Sequence, residues 1–412
     1  MKSFRRVSFG TVVSALMLVA LFAGGCMGTG GGPSGAIRVG RGRTAEPSRA
    51  VIVKDRALLH TAQLLPFDER GAIASPNDLA RQIDQVVDNL RRVLSVGESQ
   101  LEDVVKLNIY VSREDIAAQA REKFARHFAT MNQPAVSWVV GRLTRKEAMV
   151  AIDAVAITSA ETEVGETGLF RVEGLEAVNG AVGAILPKGG RLFVSGQAKN
   201  GTLQVATRET LENLGATLGS MGLDRMNVVQ IKAFMQPISD SGIVQGEVSK
   251  FFGLELPPPI VFVEWRSSSN TPVEIELIVA EPGPPKKGSE PVEYLTPPGM
   301  TASKVFSRVT HVSRGRMIYL SSLIGDGGAD AHGQLDDVFA KLGNILQESG
   351  SDFEHLVKAT YYVTDEDASA KLNDIRSKFF NPKRPPAASK AMVAGVGGAG
   401  RSVAIDMIAV TK

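Results

Sequence analysis

The sequence predicts an α+β fold made of three tandem copies of one module of about 110 to 130 residues. Three observations carry this prediction. The chain has 412 residues, more than one hydrophobic core serves, because domains run to about 100 to 200 residues. Two breaks, 159–168 (SAETEVGETG) and 281–299 (EPGPPKKGSEPVEYLTPPG), divide it into similar lengths, and neither suits a helix or a central strand. The same landmarks then recur at matching offsets. Val105 to Val229 is 124 positions and Val229 to Val357 is 128, while the step from each valine to a proline (Pro134, Pro258, Pro385) is 29, 29 and 28.

Each module opens with strands ending in a small-residue turn, Ala57–Gln63, Arg191–Gln197 and Arg316–Leu323. An amphipathic helix follows, because apolar residues recur every three or four positions: Leu79, Ile83, Val86, Leu90 and Leu94 in the first copy, Leu211, Leu214, Leu218 and Met221 in the second, Leu335, Phe339, Leu342 and Leu346 in the third. Gly97, Gly222 and Gly350 are placed to end those helices in positive φ. A β-rich run comes next (VVKLNIYV, VVQIKAFM, LVKATYYV), then a second helix reaching Phe128, Phe252 and Phe380, then a proline and two closing strands. Gly395–Gly400 (GVGGAG) lies between those last strands, where a hairpin loop is expected rather than a phosphate cradle, which needs a strand-to-helix turn.

The first 25 residues read as a signal peptide. Lys2, Arg5 and Arg6 form a basic start, and Val12–Phe22 is an apolar run too short to span a bilayer. Ala23-Gly24-Gly25-Cys26 is similar to the bacterial lipobox, which implies lipidation at Cys26; the alternative is a plain secretory signal with Cys26 incidental. Residues 26–36 form a Gly-rich tether, and the modules are expected at 37–158, 169–281 and 300–412. The expected place is the bacterial cell envelope, membrane-anchored through the lipid, or secreted or periplasmic without it. Cys26 is the sole cysteine, so disulfides cannot supply stability.

Lys plus Arg is 46 against 44 for Asp plus Glu, so no bulk field draws in nucleic acid. Hydrophobic residues make up 43%, which excludes a largely disordered chain. The five histidines show no metal-ligand spacing, and no serine sits in a nucleophile elbow, so neither metal, cofactor nor covalent catalysis is expected.

Ser195-Gly196-Gln197, the segment Leu101-Glu102-Asp103-Val104-Val105-Lys106, and Pro134-Ala135 through Ile152-Asp153-Ala154-Val155-Ala156 together resemble the Rid family, also called YjgF or endoribonuclease L-PSP. The resemblance spans nearly everything after the tether. It implies chorismate-mutase-like modules, each a mixed sheet with two helices on one face, and a family trimer with clefts between subunits. Three copies in one chain thus imply an intramolecular pseudo-trimer acting as a monomeric chain.

In the family an arginine two residues after the closing proline holds a substrate carboxylate. The matching positions are Val136, Ile260 and Ala387, so the ligand cleft lacks that charge in every copy unless Arg142, Arg266 or Arg401 replaces it. The resemblance also implies a water-positioning acid at Asp153, Glu276 and Asp406, a cleft-side Asn at Asn373 (Arg121 and Gln245 elsewhere), and close ligand approach at Gly196. Two functional readings follow. One is a protein with degenerate clefts that binds an uncharged small molecule or a protein partner. The other is an imine or enamine deaminase, like the family's 2-iminobutanoate/2-iminopropanoate deaminases, with altered specificity. Ribonuclease activity rests only on a family name, and near-neutral charge opposes it.

Overall fold

The computed structural model describes residues 35–40, 46–129, 132–162, 166–175, 180–253, 256–266, 270–283, 290–326 and 330–412. The signal peptide, Cys26 and most of the tether lie outside these. The first module contains β1 (Ala36–Val39), β2 (Ala50–Val53), β3 (Leu58–Thr61), α1 (Leu79–Val96), β4 (Val104–Val111), α2 (Ala117–Phe128), β5 (Ala135–Val140) and β6 (Val150–Ile157). The second contains β7 (Gly168–Phe170), β8 (Gly183–Leu186), β9 (Arg191–Ala198), α3 (Leu203–Gly219), β10 (Val228–Met235), α4 (Ser241–Phe252), β11 (Ile260–Glu264) and β12 (Val273–Ala280). The third contains β13 (Val292–Leu295), β14 (Val309–Val312), β15 (Met317–Leu320), the short β16 (Leu323–Ile324), α5 (Ala331–Glu348), β17 (Leu356–Val363), α6 (Glu366–Phe379), β18 (Ala387–Met392) and β19 (Val403–Val410). Among the described residues no helix is long and apolar enough to cross a membrane.

The long helices form where the apolar stripe lies, and each has a side-chain cap. Asp78, Thr202 and Asp330 accept from the backbone N–H groups of Arg81, Val205 and Gly333, which satisfies one of the donors that every helix start exposes. Gly222 and Gly350 take positive φ at the helix ends, as expected, but Gly97 sits at φ −84 and Glu98 takes the left-handed position. Gly97 is needed for another reason: a Cβ there would stand 2.8 Å from the Leu59 side chain.

The sheets do not close along the module boundaries. In order, they are β5-β4-β6-β3-β8-β7, β11-β10-β12-β9-β14-β13, and β1-β2-β15-β19-β17-β18 with β16 on β19. The two opening strands of each module therefore pair with the sheet of the module before it. The first two strands of the chain pair with the last sheet, where Ala50 lies opposite Leu320 and Val53 opposite Met317. The exchange is thus circular. Edge strands β7 and β13 touch or lie within the two breaks, as a sheet edge permits. Beside β13, His311 on β14 is held by Glu293 through Nδ1 (2.8 Å) and by Glu281 through Nε2 (2.7 Å).

Each sheet buries one face beneath its own helix pair. The opposite faces meet around a shared centre formed by Val105, Val229 and Val357 with Leu58, Phe193 and Tyr319. The three modules thus form an intramolecular pseudo-trimer. A bulge falls at the same place in each long strand, at Val105, Val229 and Val357; it re-aims the following side chains toward the centre.

Gly395–Gly400 is not a hairpin loop. β18 runs parallel to β17 on one side and β19 antiparallel on the other, so the segment crosses between them and docks on the first module. There Val140 donates to the Gly395 carbonyl (2.9 Å), Arg121 bonds the Gly397 carbonyl, and Gly397 lies at φ +73, where a Cβ would approach Trp138 to 2.6 Å.

Candidate functional site

The three acids predicted from the last strands do come together, but at the centre and not in the clefts. Strand register places Asp153 opposite Asn108, Glu276 opposite Lys232 and Asp406 opposite Thr360, so the three are equivalent. Lys106 of the first module reaches Asp406 of the third (2.7 Å), and Lys358 of the third reaches Glu276 of the second (2.7 Å). All four groups are buried. Lys106 also donates to Ser137 Oγ (2.6 Å) and the Leu320 carbonyl (2.5 Å). The second module has Gln230 where the others have these lysines, and it donates to the Thr61 carbonyl of the first (2.7 Å). Asp153 is held instead by Tyr110 Oη (2.6 Å) and Asn108 Nδ2 (2.8 Å).

Electrostatics follow from that placement. Burial raises Asp153 above the usual carboxylate range, opposed by Lys232 and its two hydrogen-bond donors. Burial likewise lowers Lys106, with Asp406 opposing. For Lys232 burial works downward, yet the fields of Tyr362, Asp153, Glu276 and Asp406 outweigh it and its affinity for the proton rises. The chamber they surround has a volume of about 40 Å³. Small, lined by three carboxylates and three ammonium groups, and crossed by ion pairs from one module to the next, it is an interlock between modules.

The clefts lie further out, where the small-residue turn of one module meets the penultimate strand of another. Val136, paired with Leu107, and Ile260, paired with Ile231, are equivalent. Ala387 pairs with Lys358 and so corresponds to Ala135, which makes Ala388 the third member. The three remain apolar. Of the arginines considered as replacements, Arg142 is bound to Glu264 (2.5 Å) and Arg401 lies 3.9 Å from Asp326, while Arg266 is exposed.

The three clefts differ in chemistry. Between modules one and three, Ser321, Ser322 and Leu323 face Val136 and Trp138 across a cavity of about 520 Å³, with the Arg121 guanidinium 4.9 Å from the Trp138 ring centre. Between one and two, Gln63 bonds the backbone of Ile260 (3.0 Å) and Phe262 (2.9 Å) beside Gln245, and the cavity is about 290 Å³. Between two and three, Ser195 Oγ accepts from Ala388 N–H (2.7 Å), and next to it stands Glu274, a residue the sequence reading passed over.

Glu274 lies one pleat along the strand from Glu276, against Gly196: a Cβ on that glycine would stand 2.0 Å from Glu274 Oε1. Register makes Ala151 and Ala404 its counterparts, so this cleft alone has the acid. Burial pushes the carboxyl up to about 7, the charge of Glu276 adding to the rise and Lys390 and Lys358 opposing it. Lys390, on β18, occupies the place of Trp138 and Phe262. Its ammonium, half-buried, bonds Ser369 Oγ (2.7 Å) and Asn373 Oδ1 (3.2 Å), and Asn373 in turn accepts from Arg376 (2.6 Å). Burial and the nearby Arg376 lower Lys390 below its ordinary range. Acid, cation and glycine turn thus coincide in one cleft of three. The signal was present in the sequence, since VEIE of β12 is the only closing strand with two acids and it follows the only SGQ turn.

Known proteins are similar in sequence to single modules of this chain. The family model for Endoribonuclease L-PSP matches residues 44–158 and 299–411, the first and third modules. Protein DfrA of Myxococcus xanthus is 32% identical over 113 residues, 26% of this chain and 85% of its own length. RutC family protein PH0854 of Pyrococcus horikoshii is 27% identical over 104 residues, 25% of this chain and 82% of its own. A YjgF-family protein from Neisseria meningitidis, NMB1025, has a solved structure that is 26% identical, covering 29% of this chain and 95% of that one, with a TM-score of 0.23. With the model matching more than half of the sequence and the strand order repeating three times, the chain belongs to the endoribonuclease L-PSP family, also called YjgF or Rid.

Proposed function

We propose that this protein hydrolyses a C=N bond in a small imine, and that it does so in the cleft between the second and third modules. The observation that carries the reading is Glu274, a carboxyl balanced near neutrality and found in no other cleft. A group whose proton affinity matches the working pH serves both as acid and as base. As carboxylate it takes a proton from water as the oxygen adds to the imine carbon. It returns that proton to the nitrogen, giving a carbinolamine, and then carries the hydroxyl proton to the same nitrogen, so that the C–N bond breaks, ammonia departs, the C=O bond forms and the carboxylate is restored. Lys390 supports the reading as a cation for an anionic group on the substrate, two residues along the strand from the apolar Ala388. The test is ammonia release from imines generated in situ. Wild type is expected to turn over and Glu274→Gln to lose about 10²-fold or more, whereas Trp138→Ala, in another cleft, is expected to retain activity. Equal loss in both variants, or none in Glu274→Gln, would sink the proposal.

A second reading applies to the cleft between modules one and three. Its Trp138 and Arg121 pair and its apolar floor suit an uncharged planar molecule held without turnover, and a ligand-dependent thermal shift abolished by Trp138→Ala would support it. We also infer envelope placement through a lipidated Cys26, on the residues around that cysteine; Cys26→Ser is expected to move the protein from the membrane fraction to the soluble one.

A further inference from the structure

The central chamber contains polar atoms that nothing in the protein satisfies. His60 is 2% exposed and lines the cavity, and neither Nδ1 nor Nε2 has a hydrogen-bond partner. Asn108 also lines it; its Nδ2 is committed to Asp153, which leaves Oδ1 buried and unpaired. Each such atom loses its hydration without compensation if left dry.

The phenylalanine equivalent to His60 in the second module shows that a polar group is not required there by the fold. Register places Phe193 and Tyr319 there in the other two modules. The imidazole is neutral, because burial, aided by the charge of Arg191, lowers it from 6.5 to about 3. A neutral imidazole has one N–H to donate and one nitrogen to accept with, and Asn108 Oδ1 only accepts. An occupant must therefore both donate and accept. The chamber walls already balance three carboxylates (Asp153, Glu276, Asp406) against three ammonium groups (Lys106, Lys232, Lys358), so an added ion would leave a buried charge uncompensated. Size narrows the choice again: about 40 Å³ compares with the roughly 10 to 15 Å³ of probe volume that one water requires.

We propose that the chamber is a hydration site, holding a cluster of up to about three ordered waters bound by His60 and Asn108 at the meeting point of the three modules. Water supplies the donors that Asn108 Oδ1 and one imidazole nitrogen lack, and accepts from the other. The site is asymmetric, built on the first module's side of the centre.

The experiment is a crystal structure of the protein at a resolution that shows buried water, with a parallel crystal soaked in bromide. Density within hydrogen-bond distance of His60 and Asn108, with no anomalous signal from bromide, is the expected result. Crystals of His60→Phe, which installs the second module's residue, are expected to lack the water nearest position 60. Oxygen-17 relaxation dispersion on the same pair in solution is expected to lose at least one long-lived water. An empty chamber in wild type, a bromide peak, or an unchanged water count in the variant would each overturn the proposal.

Discussion

Glu274 and His60 illustrate how one residue's surroundings set the pH response of the whole. Burial raises the Glu274 carboxyl to about 7, so folding favours its protonated form. That contribution is complete below the ordinary carboxylate range and fades as pH rises through about 7. His60 runs the other way. Its folded value of about 3 lies below the ordinary 6.5, so its contribution is complete above about 6.5 and is lost as pH falls toward 3. Denaturant titrations from pH 3 to 8 should therefore show Glu274→Gln flattening the neutral limb and His60→Phe flattening the acid limb. Neither role was legible from residue type alone. The resemblance places one water-positioning acid on each closing strand, at Asp153, Glu276 and Asp406, and only the fold shows that a further acid, Glu274, meets the glycine turn.

At the scale of elements, two glycines are held by close approach and should respond differently. A Cβ at Gly196 meets the end of a flexible carboxylate, which can move aside. Gly196→Ala is thus expected to fold with near-normal stability yet lose imine hydrolysis, as activity and thermal melting together would show. At Gly397 the backbone is left-handed and a Cβ meets Trp138, so Gly397→Ala is expected to cost on the order of 1 kcal/mol or more and to loosen the contact between the third and first modules. The long helices and β4, β10 and β17 were legible because their periodicity is strong and local. The role of 395–400 was not, since a crossover and a hairpin have the same local sequence and differ only in which strand each end pairs with. Strand exchange is illegible for the same reason: β2, β8 and β14 read as openings of their own modules, and nothing local names the sheet they join.

The molecule as a whole is held by a cycle of contacts in which first reaches third, third reaches second and second reaches first. Lys358→Met would strand Glu276 without its buried partner, a change expected to cost about 3 to 5 kcal/mol, and less when combined with Glu276→Leu; chemical denaturation of the single and double variants checks this. Because the modules already satisfy one another, light scattering is expected to return the mass of one chain rather than three. The circular strand pairing also bears on synthesis. β1 and β2 can pair with each other early, but β2 finds its other neighbour, β15, only after about two hundred and sixty more residues have been added, so that edge must wait, uncovered, until the third module emerges. An aggregation-prone interval is thereby written into translation.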